Sequence, residues 1–459
     1  MKLRPSAPPQ LAAPAPSIPQ EPTVKSLVHL GLVAAAIEGL GLVERIDKRL
    51  PLEEGKGVEV THGQRVKAMI INGLGYTRSP LYLTPDFYAD LDVERLLGKG
   101  VESEHLNDYA LGRTLDALFA YGTTRLFSEI AFEVAQERGL LGKSLHLDTT
   151  TLLLYGEYPE AEELAQRKGM EEMPLPTYGH SKAHRPDLKQ VVMSLIVTGP
   201  SSMPLWFEAL AGNSSDKANF HDSIDQFETF NKAVQSTEDF LWVADSALYN
   251  QGKLKNAPIR WLTRVPQTVN KVKELVYQSD DEVTWTALDD GYKAALYTTK
   301  ATREVWALIS SKQAYKKELI TFNNRIVKAL EKAEKALKKL SAEVFDCKND
   351  AIKAGEKWAK TLKYHEVTFT VKTFERYNQR GKPAKDAVPD RINYKLSGVI
   401  SDDLVKQVAV QQQLGRFVLA TNDIEETGLS ADLMLSTYKE QQDVDLQRTA
   451  GCRTGFWLC

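Results

Sequence analysis

Cysteine is scarce, with three in 459 residues. Cys347, Cys452 and Cys459 form neither a metal-ligand spacing nor the even-numbered framework of a disulfide-stapled domain. A reducing cytoplasm suits such a chain. No run of about 18 uninterrupted apolar residues occurs, so no membrane-spanning helix is expected. The N-terminus also lacks the charged-then-apolar layout of a secretory signal. Neither sign of charge is in excess, since 58 Lys and Arg stand against 61 Asp and Glu for a formal net charge of −3. That balance neither announces nor excludes a nucleic-acid partner, because a basic face can coexist with acidic patches elsewhere. GxSxG, GxGxxG and GxxxxGK[ST] are all missing, and with them the usual marks of α/β-hydrolases, dinucleotide enzymes and P-loop NTPases. There is no fixed-period repeat.

What is present is ordinary globular composition, 42% hydrophobic and 26% charged, in a chain long enough for two or three domains. Residues 1–23 carry seven prolines among Ala, Ser and Gln and read as a disordered, partly polyproline-like tail. From 24 to 141 the pattern is helical. Leu27, Leu30, Val33, Ala34, Ile37 and Leu40 follow three-four spacing. Thr61 suits a helix cap ahead of Val66, Met69 and Ile70. Asn107 starts a helix with Leu111, Leu115, Leu118 and Phe119 on one side, and Thr124 starts another that stops at Gly139. Gln64, Arg65 and Lys67, near a helix start, read as a solvated polar face or as phosphate contacts.

At Ser144 the period changes. Ser144 to Tyr155 (SLHLDTTTLLLY) is a buried-strand pattern with one carboxylate, Asp148, inside it. A loop dense in charge and proline follows, and then apolar runs at 191–198 and 204–210. A helix from Asp216 comes next, and a short strand, Phe240 to Ala244, ends in Asp245. With a further strand at 260–265, strands interleaved with helices give an α/β core over 142–267. Residues 268–390 read as an insertion. It has alternating strands around Val283–Ala287, Ala295–Tyr297 and Val305–Ile309, and a long helix from Lys312 crowded with lysines. Those lysines either coat a packed helix or track a phosphate backbone. Residues 391–459 return to the core through strands at 393–400 and 415–421 and a helix carrying Tyr438.

Asp148 and Asp245 end up on different strands. If those strands are neighbours, both carboxylates project to one edge of the sheet. Two-metal phosphate chemistry needs about three carboxylates converging from separate elements, and Glu440, Asp443 and Asp445 near the last helix are candidates for the third. His180 and His184, at i and i+4, lie in a Pro/Gly loop with no third ligand for zinc.

In chain order, HLDTTTL, YGHSKAHRPDLKQVV, GNSSD, VADSALY and LSTYKEQ together resemble a DDE transposase of bacterial insertion sequences. The resemblance runs from about Val24 to Val444. It implies an RNase H-like mixed sheet flanked by helices and broken by an α+β insertion, preceded by an all-α N-terminal domain for DNA-end binding or dimerisation. It also implies a cytoplasmic, nucleoid-associated homodimer acting on double-stranded DNA, both element ends and target. Asp148 and Asp245 become the first two ligands of Mg2+ (or Mn2+). The family's Y-x2-R-x3-E-x6-K signature, begun at Tyr438, puts Gln441 at the Arg position, Asp445 at the Glu position and Cys452 at the Lys position. Asp445 is thus the implied third catalytic and metal-binding carboxylate, and the C-terminus reads as degenerate or truncated. Lys182, His184, Arg185 and Tyr438 are the implied DNA contacts. The expected activity is metal-dependent cleavage at element ends followed by strand transfer. A catalytically dead DNA-binding remnant and a related metal-dependent nuclease are the alternatives.

Overall fold

The computed structural model describes residues 27, 29–52, 60–75, 80–158, 174–181, 184–214, 216–236, 238–254, 258–299, 303–377, 388–423 and 429–441. The proline-rich tail, Lys182 and Asp445 therefore lie outside the described residues. The chain divides into two compact units at Leu126/Phe127.

Every regular element described between Leu30 and Tyr121 is helical. These are α1 (Leu30–Gly39), α2 (Leu42–Arg49), α3 (His62–Leu74), α4 (Thr84–Tyr88), α5 (Val93–Leu97) and α6 (Asp108–Tyr121), with two short 3-10 turns. Leu30, Ala34 and Ile37 of α1 meet Ala68 and Ile71 of α3 and Tyr88, Leu96 and Leu106 in one core. Thr61 caps α3 as its sequence suggests. Its hydroxyl accepts from Gln64 N–H at 3.1 Å, and the Gln64 side chain accepts from Thr61 N–H at 2.9 Å. Gln64 is thus spent on the cap, Arg65 is buried, and Lys67 is buried with its ammonium 2.7 Å from Glu38. This trio is neither a solvated face nor a phosphate-reading one. On α6, Leu111 is buried but Phe119 is largely exposed, so the apolar stripe read from sequence is only partly covered within this unit.

The second unit is a nine-stranded mixed sheet flanked by helices. Its strands are β1 (Ser144–Leu154), β2 (Lys189–Gly199), β3 (Pro204–Ala211), β4 (Leu241–Ala244), β5 (Arg260–Arg264), β6 (Thr286–Ala287), β7 (Tyr292–Thr299), β8 (Glu304–Ser311) and β11 (Arg416–Thr421), in the order β3-β2-β1-β4-β5-β11-β8-β7-β6. β1, β2 and β3 are antiparallel neighbours, while β4 and β5 run parallel to β1. Strand alternation divides the residues between two faces. Leu145, Leu147, Trp242, Ala244 and Trp261 join a core with α7 (Thr123–Glu137), α8 (Asp216–Ala233), α9 (Gln251–Leu254) and α10 (Asn270–Tyr277). Trp206, Phe227, Phe240 and Trp242 pack edge to face there, with centroids 5.5–6.3 Å apart, each such pair adding about 0.5–1.5 kcal/mol beyond area burial. On the opposite face, Leu241, Val243, Leu262, Ala307, Ile309 and Leu419 pack under Ala431, Met434 and Leu435 of α14 (Ala431–Lys439).

The segment read as an insertion does two different things. β7 and β8 extend the main sheet, and the strand expected at Val283–Ala287 shrinks to the two residues of β6. Between β8 and β11 lie α11 (Lys312–Ala342), α12 (Lys348–Ala359), the two-stranded sheet of β9 (His365–Arg376) and β10 (Arg391–Asp402), and α13 (Leu404–Gln411). β10, expected as a core strand, pairs with β9 and bridges Phe345 through Tyr394 instead of joining the main sheet, because its apolar partners are in that hairpin and on the helices packed on it. Entry to and exit from this excursion are pinned side by side. Ser311 N–H donates to Gly415 C=O at 2.9 Å, and Gly415 N–H donates to Glu318 Oε2 at 2.8 Å. Gly415 has φ 71°, and a Cβ there would press on the Ser311 carbonyl and the Tyr315 backbone.

At the start of β11 the buried Arg416 guanidinium donates to the Val276 carbonyl at 3.1 Å, to the Gln278 carbonyl at 2.6 Å, and to Asp280. Asp280 also takes the Lys293 ammonium at 2.8 Å. The Lys293 hydrogen bond, reinforced by Arg416 and Trp285 against a desolvation cost, holds the Asp280 carboxyl below its ordinary pKa. A depressed native pKa contributes stability that is complete above the unfolded value, about 3.9, and is lost as pH falls through the native one. The urea midpoint of Asp280→Asn should therefore lie below that of the native chain at pH 6–7, and the gap should shrink steadily below about pH 4. A gap that is unchanged on acidification rejects this role for Asp280.

Candidate active site

The parallel pairing of β1 with β4 runs Ser144–Leu241, Leu145–Trp242, His146–Val243 and Leu147–Ala244. One residue further on, Asp148 and Asp245 fall opposite each other. Neighbouring strands lie about 4.8 Å apart, and side chains at one level of parallel strands share a face. Asp148 continues the row of Ser144 and His146, away from Leu145 and Leu147. Asp245 continues that of Leu241 and Val243. Both therefore belong to the face covered by α14. The neighbour relation on which the sequence reading depended is met.

The row continues in both directions. Asp148 pairs with Leu195 of β2, which pairs with Phe207 of β3. Beyond Asp245, β5 (paired through Ala244–Thr263) brings Arg264 to the same level, and Arg264 pairs with Leu419 of β11. Asp148 is half-buried and Asp245 exposed. Asp245 Oδ1 accepts from Ala247 N–H at 2.8 Å, which turns the chain at the strand end, and its carbonyl accepts from the Thr263 hydroxyl at 2.7 Å. Arg264 is half-buried, with its guanidinium carbon 5.1 Å from the Phe417 ring centroid, and it forms no ion pair among the described residues. Arg185, Arg260 and Arg416 are each matched to an aspartate. Arg264 went unnoticed in the sequence because only the register of β5 sets its level.

The end of α14 is tied to β1 immediately before Asp148. Gln441 Nε2 donates to the Leu147 carbonyl at 3.0 Å, which turns its Oε1 toward His146 Nδ1 at 3.3 Å. A carbonyl only accepts, so the Gln441 amide is fixed and His146 Nδ1 is the donor. His146 Nε2 lies 3.3 Å from Glu440 Oε2 and 3.2 Å from Ser144 Oγ. Glu440 thus sits at the level of Ser144 and His146. Nothing in the sequence pattern marked His146, which reads there as one more buried position.

The remaining expected residues are more scattered. Tyr438 is half-buried, its ring 6.4 Å from that of Phe417. His184, with φ 57°, and Arg185 are exposed in the loop before β2. Arg185 is held by Asp187 at 2.6 Å, which raises the pKa of the guanidinium and lowers that of the carboxylate. Among the described residues no three His, Cys, Asp or Glu side chains gather as a metal site. Carboxylate oxygens are hard donors suited to Mg2+ or Mn2+. Asp148 and Asp245 carry donors of that kind.

Residues 22–132 match the family described as "Domain of unknown function (DUF4277)". Among curated proteins nothing matches. A solved structure with some likeness is the cryo-EM piggyBac transposase synaptic complex with hairpin DNA. The identity is 11%, over 61% of this chain and 59% of that one, with a TM-score of 0.27. The chain thus spans under two thirds of that protein's length, and so slight a likeness carries over neither fold nor function. Among the described residues no helix is long and apolar enough to cross a membrane.

At Gly199, beside the α14 tie, a Cβ would collide with Glu440 Oε2 and His146 Nε2. Gly199→Ala should cost about 1–3 kcal/mol through overpacking and lower the thermal midpoint. Gly112→Ala, on α6 with nothing within 4 Å of the added carbon, should instead gain about 0.5–1 kcal/mol. Equal midpoints for the two variants in a melting experiment would contradict the packing described.

Proposed function

We propose that this chain is a metal-dependent DNA-cleaving and strand-transferring enzyme of the DDE transposase type, with an RNase H-like core. The observation that carries the reading is that Asp148 of β1 and Asp245, the residue that follows β4, each come directly after the last parallel pair, Leu147–Ala244. Three antiparallel strands followed by two parallel ones, in the order β3-β2-β1-β4-β5, support the RNase H-like assignment of the core. Asp148 and Asp245 are the proposed ligands of Mg2+ or Mn2+, with Asp445 as the proposed third. A bound divalent cation supplies charge neutralisation at the phosphate and a more acidic water.

The chain's own groups divide the remaining work. Asp148 and Asp245 would hold the cation, and the Ala247 N–H just past β4 orients the Asp245 carboxylate. Arg264, free of any ion pair among the described residues and level with the acidic pair, is placed to donate to a non-bridging phosphate oxygen. The reaction is hydrolysis followed by transfer. Water oxygen bonds to phosphorus, the P–O3′ bond breaks, and the leaving 3′-oxygen takes a proton. That 3′-hydroxyl then attacks a target phosphodiester, displaces the target's own 3′-oxygen and gives up its proton. Two element ends acted on together require two copies, and a homodimer is proposed accordingly. Tyr438, Lys182, His184 and Arg185 are kept as proposed DNA contacts.

The test uses duplex DNA carrying the sequences that flank the coding region on either side. Mg2+-dependent cleavage should leave 3′-hydroxyl ends, and Asp148→Asn or Asp245→Asn should each slow it about 10³-fold or more. Duplex binding with no cleavage under Mg2+ or Mn2+ would select the catalytically dead remnant, and cleavage without joining to target would select the nuclease. Arg264→Gln should lower kcat/KM about 10–100-fold, the value of one charged hydrogen bond, with part recovered in Arg264→Lys. Unchanged kinetics in Arg264→Gln would remove that residue from the site.

A further inference from the structure

Helix α11 carries eight lysines and one arginine against three glutamates. Its apolar side, which includes the buried Phe322 and Ala333, packs on β10. On the opposite side, positions 317, 321, 324, 328, 332, 335 and 339 succeed one another at intervals of three and four and form one row. The row reads Lys317, Thr321, Asn324, Lys328, Lys332, Lys335 and Lys339, and every member is exposed. One acid flanks it: Glu331 stands three residues from Lys328 and four from Lys335, while Glu334 lies further round the helix. Among the described residues none of the five lysines forms an ion pair. At 1.5 Å per residue the row is about 33 Å long, close to one turn of B-form duplex, about 34–36 Å.

We propose that this lysine row is a docking surface for the backbone of duplex DNA. Five ammonium groups with a single flanking carboxylate, none of them in an ion pair among the described residues, complement a polyphosphate, and Thr321 and Asn324 between them supply neutral donors of the kind that bond phosphate oxygens. Topology adds a second argument. β8 runs in the same direction as β5, since each pairs antiparallel with β11. Its last residue, Ser311, therefore lies at the sheet edge toward which β1, β4 and β5 also run, the edge of Asp148 and Asp245. The helix that bears the row springs from that edge. An anionic membrane is the less suited partner. A surface-bound helix keeps a continuous apolar face free, whereas that of α11 is covered by β10 and only Ile320 and Val327 stay exposed beside the row. The choice of DNA among polyanions rests on the function proposed above, but the row itself does not depend on the acidic pair.

The experiment measures binding of the full chain to a 40-bp duplex of arbitrary sequence between about 50 and 200 mM salt. One variant replaces Lys317, Lys328, Lys332, Lys335 and Lys339 by Gln. A control replaces the same number of exposed lysines nearby, Lys348, Lys353, Lys357, Lys360 and Lys363. Both are repeated in an Asp148→Asn, Asp245→Asn chain, which keeps the row and cannot cleave if the proposed function is right. Each phosphate contact contributes about 0.9 to the slope of log K against log salt. The row variant should therefore lose about 3–4.5 of slope, while the control loses less than about 1, with or without the two aspartates. The proposal is overturned by an unchanged slope in the row variant, by an equal loss in the control, or by a native chain that binds phosphatidylserine vesicles and ignores the duplex. Cleavage lost with binding intact counts against the proposed enzyme and leaves the row standing. A changed slope with full cleavage does neither harm.

Discussion

The parallel pairing of β1 with β4 is the constraint on which the acidic pair depends. A strand's side chains alternate with a period of two, so a one-residue slip in this pairing would send one carboxylate to the opposite face. What prevents the slip is apolar burial on both sides of four consecutive pairs. Leu145, Leu147, Trp242 and Ala244 are held in one core, and Leu241 and Val243 in the other. Trp242 is further fixed by its indole N–H, which donates to Glu228 at 2.9 Å. The polar residues lie just beyond these buried pairs, where the sheet opens. The energy that sets the level of Asp148 and Asp245 is thus hydrophobic, and the carboxylates inherit a position they do nothing to enforce.

Much of this core was readable from the sequence, because apolar runs bounded by turn signals are strong local patterns. The strands at 191–198, 204–210 and 260–265 and the helix from Asp216 all appear within a residue or two of where the pattern puts them. The short run before Asp245 does as well. What the pattern does not hold is pairing. No local feature of NYKLSGVI says that β10 will choose β9 over the main sheet, and nothing in RWLTR says that Arg264 will stand level with Asp245. Cap chemistry was legible at Thr61 and Asn107, where side-chain and backbone groups lie three residues apart. The burial of Lys67 was not, because its partner Glu38 is on another helix, 29 positions away. His146 shows the same limit. Its neighbours Glu440 and Gln441 are nearly 300 residues along the chain.

The excursion between β8 and β11 explains how so long a segment can interrupt the sheet without deforming it. Its two ends are antiparallel neighbours joined by the Ser311–Gly415 hydrogen bond, so topologically it is a very large hairpin loop. The entropy of closing a loop grows only slowly with its length, and α11, α12 and the β9–β10 hairpin bury their own apolar residues against one another. Glu318 in the first turns of α11 and Gly415 at the return set the base of this body. The surface it carries, lysines included, is thereby referred to the sheet edge rather than to a free linker.

The end of α14 matters for the same reason of reference. Gln441 is the last described residue, and its amide is bonded to the Leu147 carbonyl, one position from Asp148. Any side chain supplied from beyond it starts beside the acidic row. In the proposed enzyme, a third carboxylate from position 445 would be referred to the sheet through this tie. Asp, one methylene shorter than Glu, would bring about 1.5 Å less reach to that role, several times the roughly 0.5 Å tolerance of a working site.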